Sequence, residues 1–170
     1  MACMILMPGH EASGRLVYQA MKLRDYTTAA TLLPRLESQD LEEVIVTLVD
    51  RLAATGSVTD PELLISHILQ RERETKTAIG GGLAVPHARS SAVTRLQVAV
   101  ATLAHPLDLG AEDGRPVDLV MLIVGPQHQQ RQMLQILARL ARLVKDSSFL
   151  AALRRAEDAG AMAQVLTGAS

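Results

Sequence analysis

The first regular hydrophobic pattern of the chain begins after Asp40 and has the period of an α-helix. Apolar residues recur three and four positions apart on one face: Leu41, Val44, Ile45, Leu48, Val49 and Leu52. Asp40 can cap this helix, and Glu43 gives the start an arrangement close to a capping box. The pattern therefore predicts an amphipathic helix that begins after Asp40 and ends at Gly56.

A second helix is predicted to start at Asp60 and Pro61. An aspartate accepts hydrogen bonds from the free N–H groups of a first turn, and proline is favoured at the first helical position. The residues expected to face inward are Leu63, Leu64, Ile68 and Leu69. This helix runs into a charged segment at residues 71–74.

The middle of the chain changes to the period and composition of strands. Leu83 to Val85 is a short apolar segment, and Leu96 to Leu103 alternates larger apolar residues with glutamine and alanine. Val117 to Val124 is nearly all apolar, which is typical of a central strand covered on both faces. Gly125 and Pro126 end this strand. We therefore predict strands at these three segments.

Helical patterns return in the last quarter. A long helix carries a wide apolar stripe: Met133, Leu134, Ile136, Leu137, Leu140, Leu143 and Val144. Two shorter helices follow Asp146, with apolar residues at Phe149, Leu150, Leu153, Met162, Val165 and Leu166. Helices, then strands, then helices predict one layered α/β domain over residues 27–170. Residues 1–26, with a helical turn or two between Arg15 and Arg24, are interpreted as an N-terminal extension of unknown role.

Composition and charge exclude several classes of protein. The formal net charge is −1, and aromatic residues make up 2% of the chain, so a nucleic-acid binder is not expected. The single cysteine, Cys3, excludes an intramolecular disulfide and a cysteine-based zinc site. No apolar run is long enough for a membrane helix, and the opening residues lack a basic region and a cleavage site. We expect a cytoplasmic protein that does not insert into membranes.

The segment around Gly80, Gly81 and Gly82 is the first candidate for chemistry. It does not fit a P-loop, because Gly82 is followed by an apolar segment, and it lacks the spacing of a dinucleotide fingerprint. These glycines are interpreted as a tight backbone turn. The five histidines show no metal-ligand spacing: His10, His67, His87, His105 and His128. We therefore expect no metal and no cofactor.

His87 is the residue that this glycine-rich segment delivers, directly after Pro86. An imidazole near cations and backbone amides is suited to phosphoryl transfer. Residues 71–95 contain five basic and two acidic residues, and arginine binds phosphoryl oxygens in bidentate fashion. The residues alone leave two interpretations open, a phosphohistidine and a structural histidine that caps a loop.

The same segment resembles the enzyme IIA domain of the phosphoenolpyruvate-dependent sugar phosphotransferase system, of the fructose/mannitol type that includes nitrogen-regulatory members. The signature is carried by Arg71-Glu72, Thr77 and the sequence GGGLAVPH at 80–87. Similarity extends to Thr59-Asp60, to residues 116–119 and to residues 137–141, and it covers roughly residues 27–167. The resemblance implies a single-domain layered sandwich with a central mixed β-sheet flanked by helices.

The resemblance also implies a function. His87 would accept a phosphoryl group from an HPr-type phosphocarrier protein or a nitrogen-branch relative. It would then pass the group to a cysteine of a IIB domain or use it as a regulatory state. Arg71, Thr77 and Gly82 would form the phosphate site, with Arg89 as a further candidate. The domain would be a component of a phosphotransferase chain rather than a stand-alone enzyme.

Two departures from the family pattern accompany this prediction. Ala88 stands where the family usually has glycine, and Met133 stands where many members have a second active-site histidine. A methionine side chain cannot donate a hydrogen bond. His128 is a weak substitute, since it lies five residues before this position. The alternative is therefore a regulatory module that binds target proteins and lacks efficient phosphotransfer.

Overall fold

The computed structural model describes residues 22–169, and within them it shows a mixed six-stranded sheet with helices on both faces. The strands are β1 Leu32–Leu36, β2 Ala78–Gly80, β3 Leu83–Ala84, β4 His87–Arg89, β5 Gln97–Leu107 and β6 Val117–Gly125. The helices are α1 Leu41–Ala54, α2 Pro61–Glu74, α3 Gln130–Leu143, α4 Ser147–Arg155 and α5 Ala159–Gly168. The predicted layered α/β sandwich is confirmed.

The pairing of the strands places His87 at the side of β6. The order is β1-β5-β6-β3-β2, and β4 pairs with β6 beyond β3. Strands β5 and β6 are antiparallel at the centre, and β3 and β4 both run parallel to β6. His87 pairs with Ile123, four residues along β6 from Leu119, which pairs with Leu83. The glycine turn and the histidine therefore lie at different heights along one strand.

Two apolar cores cover the two faces of the sheet. Helices α1 and α2 pack with one face, and helices α3, α4 and α5 pack with the other. Alternate residues of β6 divide between these cores: Val120, Leu122 and Val124 on one side, and Leu119, Met121 and Ile123 on the other. Because side chains of a strand point alternately to opposite faces, this nearly all-apolar strand is covered on both, as its composition predicts.

Both helix starts predicted from aspartates are confirmed. The Asp40 carboxylate accepts the Glu43 N–H at 2.8 Å, and Glu43 in turn accepts the Gln39 N–H at 2.8 Å. At the second start, Asp60 accepts the Leu63 N–H at 3.0 Å, with Pro61 at the first helical position. These caps fix where each helix begins.

Other sequence expectations need correction. Leu63 is 36% exposed and Leu134 is 58% exposed, so neither belongs to the buried apolar face that the sequence predicts for it. Strand β5 is buried on both faces from Gln97 to Leu103, so its alternation reflects side-chain size and not solvent exposure. Three strands are not predicted from the sequence: β1, β2 and β4.

The beginning of the described chain packs against the second core. Leu23 is buried in a short 3-10 turn, Leu23–Tyr26. Cys3, His10 and most of the predicted turn between Arg15 and Arg24 lie outside the described residues, and the domain boundary at residue 26 stays a prediction. In the described part of the chain, no helix has the length and apolar character needed to span a membrane.

Candidate active site

His87 lies at the start of β4, in an open cleft between helices α2 and α3. The cleft has a volume of about 440 Å³, and its wall on α2 includes His67, Arg71 and Glu74. The wall on α3 includes Met133 and Leu134. Because β4 lies between the two helical layers, both layers contribute side chains to the same cleft.

The orientation of the His87 ring follows from one hydrogen bond. Its Nδ1 is 2.9 Å from the carbonyl oxygen of Val85. A carbonyl oxygen only accepts, so Nδ1 carries the proton and donates it. In the neutral ring, Nε2 therefore has the free lone pair and is the nucleophilic nitrogen. The side chain is half-buried, so this nitrogen can be reached from the cleft.

Two arginines give the cleft positive charge. Arg71 is exposed at the last turn of α2, and it has no ion pair within residues 22–169. Arg89 is also exposed, and its guanidinium donates to the Gln127 carbonyl at 2.8 Å. Glu74 is the carboxylate in the lining. An unpaired guanidinium beside a nucleophilic imidazole is suited to holding a phosphoryl group.

Thr77 lies beside a second cleft, of about 300 Å³, which shares Arg71 and His87 with the first. Its N–H donates to one carboxylate oxygen of Glu72 at 3.0 Å, and its hydroxyl donates to the other at 2.5 Å. The hydroxyl proton is therefore committed to Glu72. This arrangement assigns Thr77 to the packing of the segment after α2.

Gly82 does not line either cleft, and its role in binding phosphate stays a prediction. Its carbonyl accepts from Asp118 and Leu119 N–H, about 13 Å along β6 from the partner of His87 at 3.3 Å per residue. A Cβ at Gly82 would lie 2.8 Å from both Asp118 and Arg154. Arg154 and Asp118 form an ion pair at 2.7 Å. The tight turn over this ion pair, with a φ of +77° at position 82, requires a glycine.

The same turn is held by a second carboxylate. Asp113 accepts the Gly81 N–H at 2.8 Å and the Arg115 N–H at 3.1 Å. These hydrogen bonds, that from Gly81 first, lower the pKa of Asp113 below its usual 3.8. On the other side Arg154 donates to the Gly81 carbonyl at 2.5 Å, so charge-assisted hydrogen bonds fix the turn from both sides, which agrees with its interpretation as structural.

Met133 stands at the position of the second family histidine and His128 is its weak substitute, and the two occupy different places. Met133 is 4% exposed and lines the cleft with His87, where its thioether offers no N–H or O–H donor. His128 is exposed in the turn before α3 and is not part of the lining. No donor therefore reaches the cleft from either of these positions.

His67 is a cleft residue that was not predicted from the sequence to belong to the site. Its Nδ1 is 3.0 Å from the Ser90 hydroxyl oxygen, and it precedes Arg71 by one helical turn. That i, i+4 spacing on α2 was the available signal, because it places both residues on one face. Its partner Ser90 is 23 positions away, so the contact itself leaves no local pattern. Among residues 22–169 no histidines or carboxylates cluster as a metal site.

Comparison with known proteins identifies the family of this chain. The family described as "Phosphoenolpyruvate-dependent sugar phosphotransferase system, EIIA 2" matches residues 26–168. A nitrogen regulatory protein of Bradyrhizobium diazoefficiens is 33% identical over 147 residues, which cover 86% of this chain and 95% of the relative.

Two solved structures have the same fold. Nitrogen regulatory protein IIA-Ntr from Neisseria meningitidis has a TM-score of 0.77 at 21% identity, over 84% of this chain and 97% of that one. A chain in the complex of enzyme IIA-mannitol and phosphorylated enzyme IIB-mannitol from Escherichia coli has a TM-score of 0.71 at 22% identity, over 84% and 97%. The chain belongs to the enzyme IIA type 2 family of the phosphoenolpyruvate-dependent sugar phosphotransferase system.

Proposed function

We propose that this domain is a phosphohistidine carrier in which Nε2 of His87 accepts the phosphoryl group. The donor is an HPr-type phosphocarrier protein or a nitrogen-branch relative, and the acceptor is a cysteine of a IIB domain. The observation that carries this proposal is the hydrogen bond from His87 Nδ1 to Val85, which leaves Nε2 as the nucleophile in a cleft that also contains Arg71.

The transfer needs no proton to move at His87. The bond between phosphorus and the donor's ring nitrogen breaks as the bond from phosphorus to His87 Nε2 forms. The Nδ1 proton stays in its hydrogen bond to Val85, so the phosphorylated ring is a phosphoimidazolium. The donor, if protonated at its second nitrogen, departs as a neutral imidazole, and protons and charge balance.

The cations of the cleft stabilise the charge on the phosphoryl group. Arg71 has no competing carboxylate partner among the described residues, so its guanidinium is available to the equatorial oxygens. Arg89 adds positive charge at the other end of β4 from His87, where its hydrogen bond to Gln127 holds it. A guanidinium held in this way costs no reorganisation at the moment of transfer.

A labelling experiment tests the assignment. The full chain is incubated with phosphoenolpyruvate, enzyme I and an HPr-type protein, and the acid-labile phosphate is counted. We expect one phosphoryl group per wild-type chain and none on His87→Ala. His128→Ala is the matched control, because His128 is exposed outside the cleft, and it should label like wild type. Stoichiometric labelling of His87→Ala would overturn the proposal.

A second candidate function is a regulatory module that binds target proteins according to its phosphorylation state. The observation that favours it is the match to a nitrogen regulatory protein over 95% of that relative's length. A pull-down compares wild type with His87→Ala and His87→Asp, which remove or imitate the charge. Equal capture of every partner by all three forms would argue against a switch.

A further inference from the structure

We propose that His67 is a second imidazole of the site and that its Nε2–H donates to the phosphoryl group on His87. The inference rests on the proposed function and adds a named residue to it. Its starting observation is that His67, Arg71 and His87 line one cleft, with His67 and Arg71 on the same face of α2.

A hydrogen bond at Nδ1, on the side away from the cleft, fixes the position of the His67 ring. Its Nδ1 lies 3.0 Å from Ser90 Oγ, and Ser90 is 0% exposed in the segment that follows β4. Nε2 is the other ring nitrogen, and it has no hydrogen-bond partner within residues 22–169. A half-buried ring anchored through one nitrogen keeps its second nitrogen for a ligand in the cleft.

The proton of His67 can be placed from the hydrogen bonds of Ser90. Ser90 Oγ already accepts the Ala92 N–H at 3.1 Å, and its own hydroxyl proton needs an acceptor. Among the described residues, the acceptor in reach is His67 Nδ1. Leaving a buried hydroxyl proton unpaired is unfavourable, because nothing replaces its lost hydrogen bond to water. Nδ1 therefore accepts, and Nε2 carries the ring proton of neutral His67.

The two imidazoles of the cleft thus have opposite tautomers. His87 donates through Nδ1 and has its lone pair on Nε2, whereas His67 accepts through Nδ1 and has its proton on Nε2. One ring is a nucleophile and the other is a donor for an anion. Met133 provides no donor at its position on α3, whereas His67 offers one from the opposite wall of the cleft.

The contact changes no bond in the transfer. The phosphorus–nitrogen bond of the donor protein breaks and the bond to His87 Nε2 forms, as above. The Nε2 proton of His67 stays on its nitrogen and is shared with a phosphoryl oxygen, whose negative charge it stabilises. A hydrogen bond to a charged group is stronger than one between neutral groups.

Two matched substitutions separate a phosphoryl contact from a structural role. In His67→Asn, an amide oxygen near the place of Nδ1 keeps the acceptor for Ser90 and removes the donor to the cleft. In His67→Gln, the longer side chain places an amide N–H near the place of Nε2 and gives up the Ser90 bond. His67→Ala removes both. Single-turnover phosphorylation of His87 by an HPr-type protein is measured for each variant, with thermal unfolding as the folding control.

We expect His67→Asn and His67→Ala to react about tenfold more slowly than wild type, since tenfold in rate corresponds to 1.36 kcal/mol. His67→Gln should stay within about threefold of wild type by the same relation. His67→Gln no faster than His67→Asn would overturn the inference, because a donor at the place of Nε2 would then make no difference to the rate. Loss of labelling on wild-type His87 is a different result, which removes the proposed function itself.

A measurement on the wild-type protein does not depend on the folding of any variant. Long-range proton–nitrogen NMR distinguishes protonated from unprotonated ring nitrogens. At a pH where both rings are neutral, we expect the proton of His67 on Nε2 and that of His87 on Nδ1, with the His67 Nε2 signal shifted on phosphorylation. A proton on His67 Nδ1, or an Nε2 signal that phosphorylation leaves unchanged, would overturn the inference.

Discussion

At the scale of single residues, the chemistry of this site depends on what each ring nitrogen or guanidinium contacts. In the proposed function His87 attacks through Nε2, because a backbone carbonyl holds its Nδ1 proton. Arg71 is available to an anion because the described acidic residues leave it unpaired. Neither property depends on residue type alone, since His128 and Arg73 are of the same types and lie outside both clefts.

Arg71 gives the sharpest prediction at this scale. Arg71→Ala should slow phosphorylation of His87 by about tenfold to a hundredfold, the range for losing charge-assisted hydrogen bonds to the phosphoryl oxygens. Arg71→Lys should recover part of this loss, because a lysine keeps the charge without the planar fork. The measurement is single-turnover transfer from an HPr-type protein.

Arg73 supplies the matched control for this test. It is an exposed arginine two residues further along the same helix, and it lines neither cleft. Arg73→Ala removes the same charge from the molecule as a whole. If both alanine variants slowed transfer equally, net charge would explain the effect and the assignment of Arg71 would be wrong.

At the scale of elements, the glycine turn between β2 and β3 and the turn before β6 each contain a glycine with nearly the same φ. Gly82 has φ +77° and Gly114 has φ +67°, but of the two only Gly82 would bring an added Cβ within 4 Å of other side chains. Gly114→Ala should lower the free energy of unfolding by about 1–2 kcal/mol, the usual penalty for a left-handed non-glycine residue.

Gly82→Ala should lower the free energy of unfolding by about 1–3 kcal/mol more than Gly114→Ala does. Its methyl group would displace the Asp118–Arg154 ion pair. The two ion-pair side chains are 26% and 22% exposed, so water relieves only part of the loss. Denaturant unfolding of the two variants measures the difference. Equal destabilisation would show that the space over the ion pair does not matter.

The elements also show how far the sequence could predict the structure. Helices α1 and α2 were predictable because a capping aspartate and an apolar period lie within a few residues of each other. Strand β4 was not, because three residues after a proline carry no period, and its pairing with β6 is a tertiary contact. The contact of His67 with Ser90 was hidden for the same reason.

Resemblance and local pattern together singled out His87 and Arg71, which the structure brings into one cleft. They also singled out Gly82, which lies outside both clefts. A motif records which residues recur and not which of them touch a ligand. A glycine required by the tight turn of a signature segment therefore has the same appearance in sequence as one that binds phosphate.

At the scale of the whole molecule, the proposed function requires the surface around the cleft to accommodate a protein donor. Leu134 lines the cleft and is 58% exposed, and Ile79 lines the second cleft and is 55% exposed. Exposed apolar side chains beside a reactive group are suited to the desolvated centre of a protein interface.

Leu134→Asp should therefore slow transfer from an HPr-type protein by about tenfold or more, as expected for a charge placed in an interface centre. Leu63→Asp is the control, since Leu63 is an exposed leucine on α2 that lines neither cleft. The rate is measured over a range of donor concentrations, and the loss should appear as weaker donor binding. Equal rates for the two variants would exclude docking over Leu134.

The carbonyl of Val85 has one further consequence for such a carrier. While it holds the Nδ1 proton, the phosphorylated His87 ring stays cationic, so the ring departs as a neutral imidazole, which is a much better leaving group than an imidazolate anion. The contact that prepares Nε2 to attack also keeps the phosphorus–nitrogen bond ready to break. We therefore expect a phosphorylated state of high transfer potential, from which the group can be handed on in either direction.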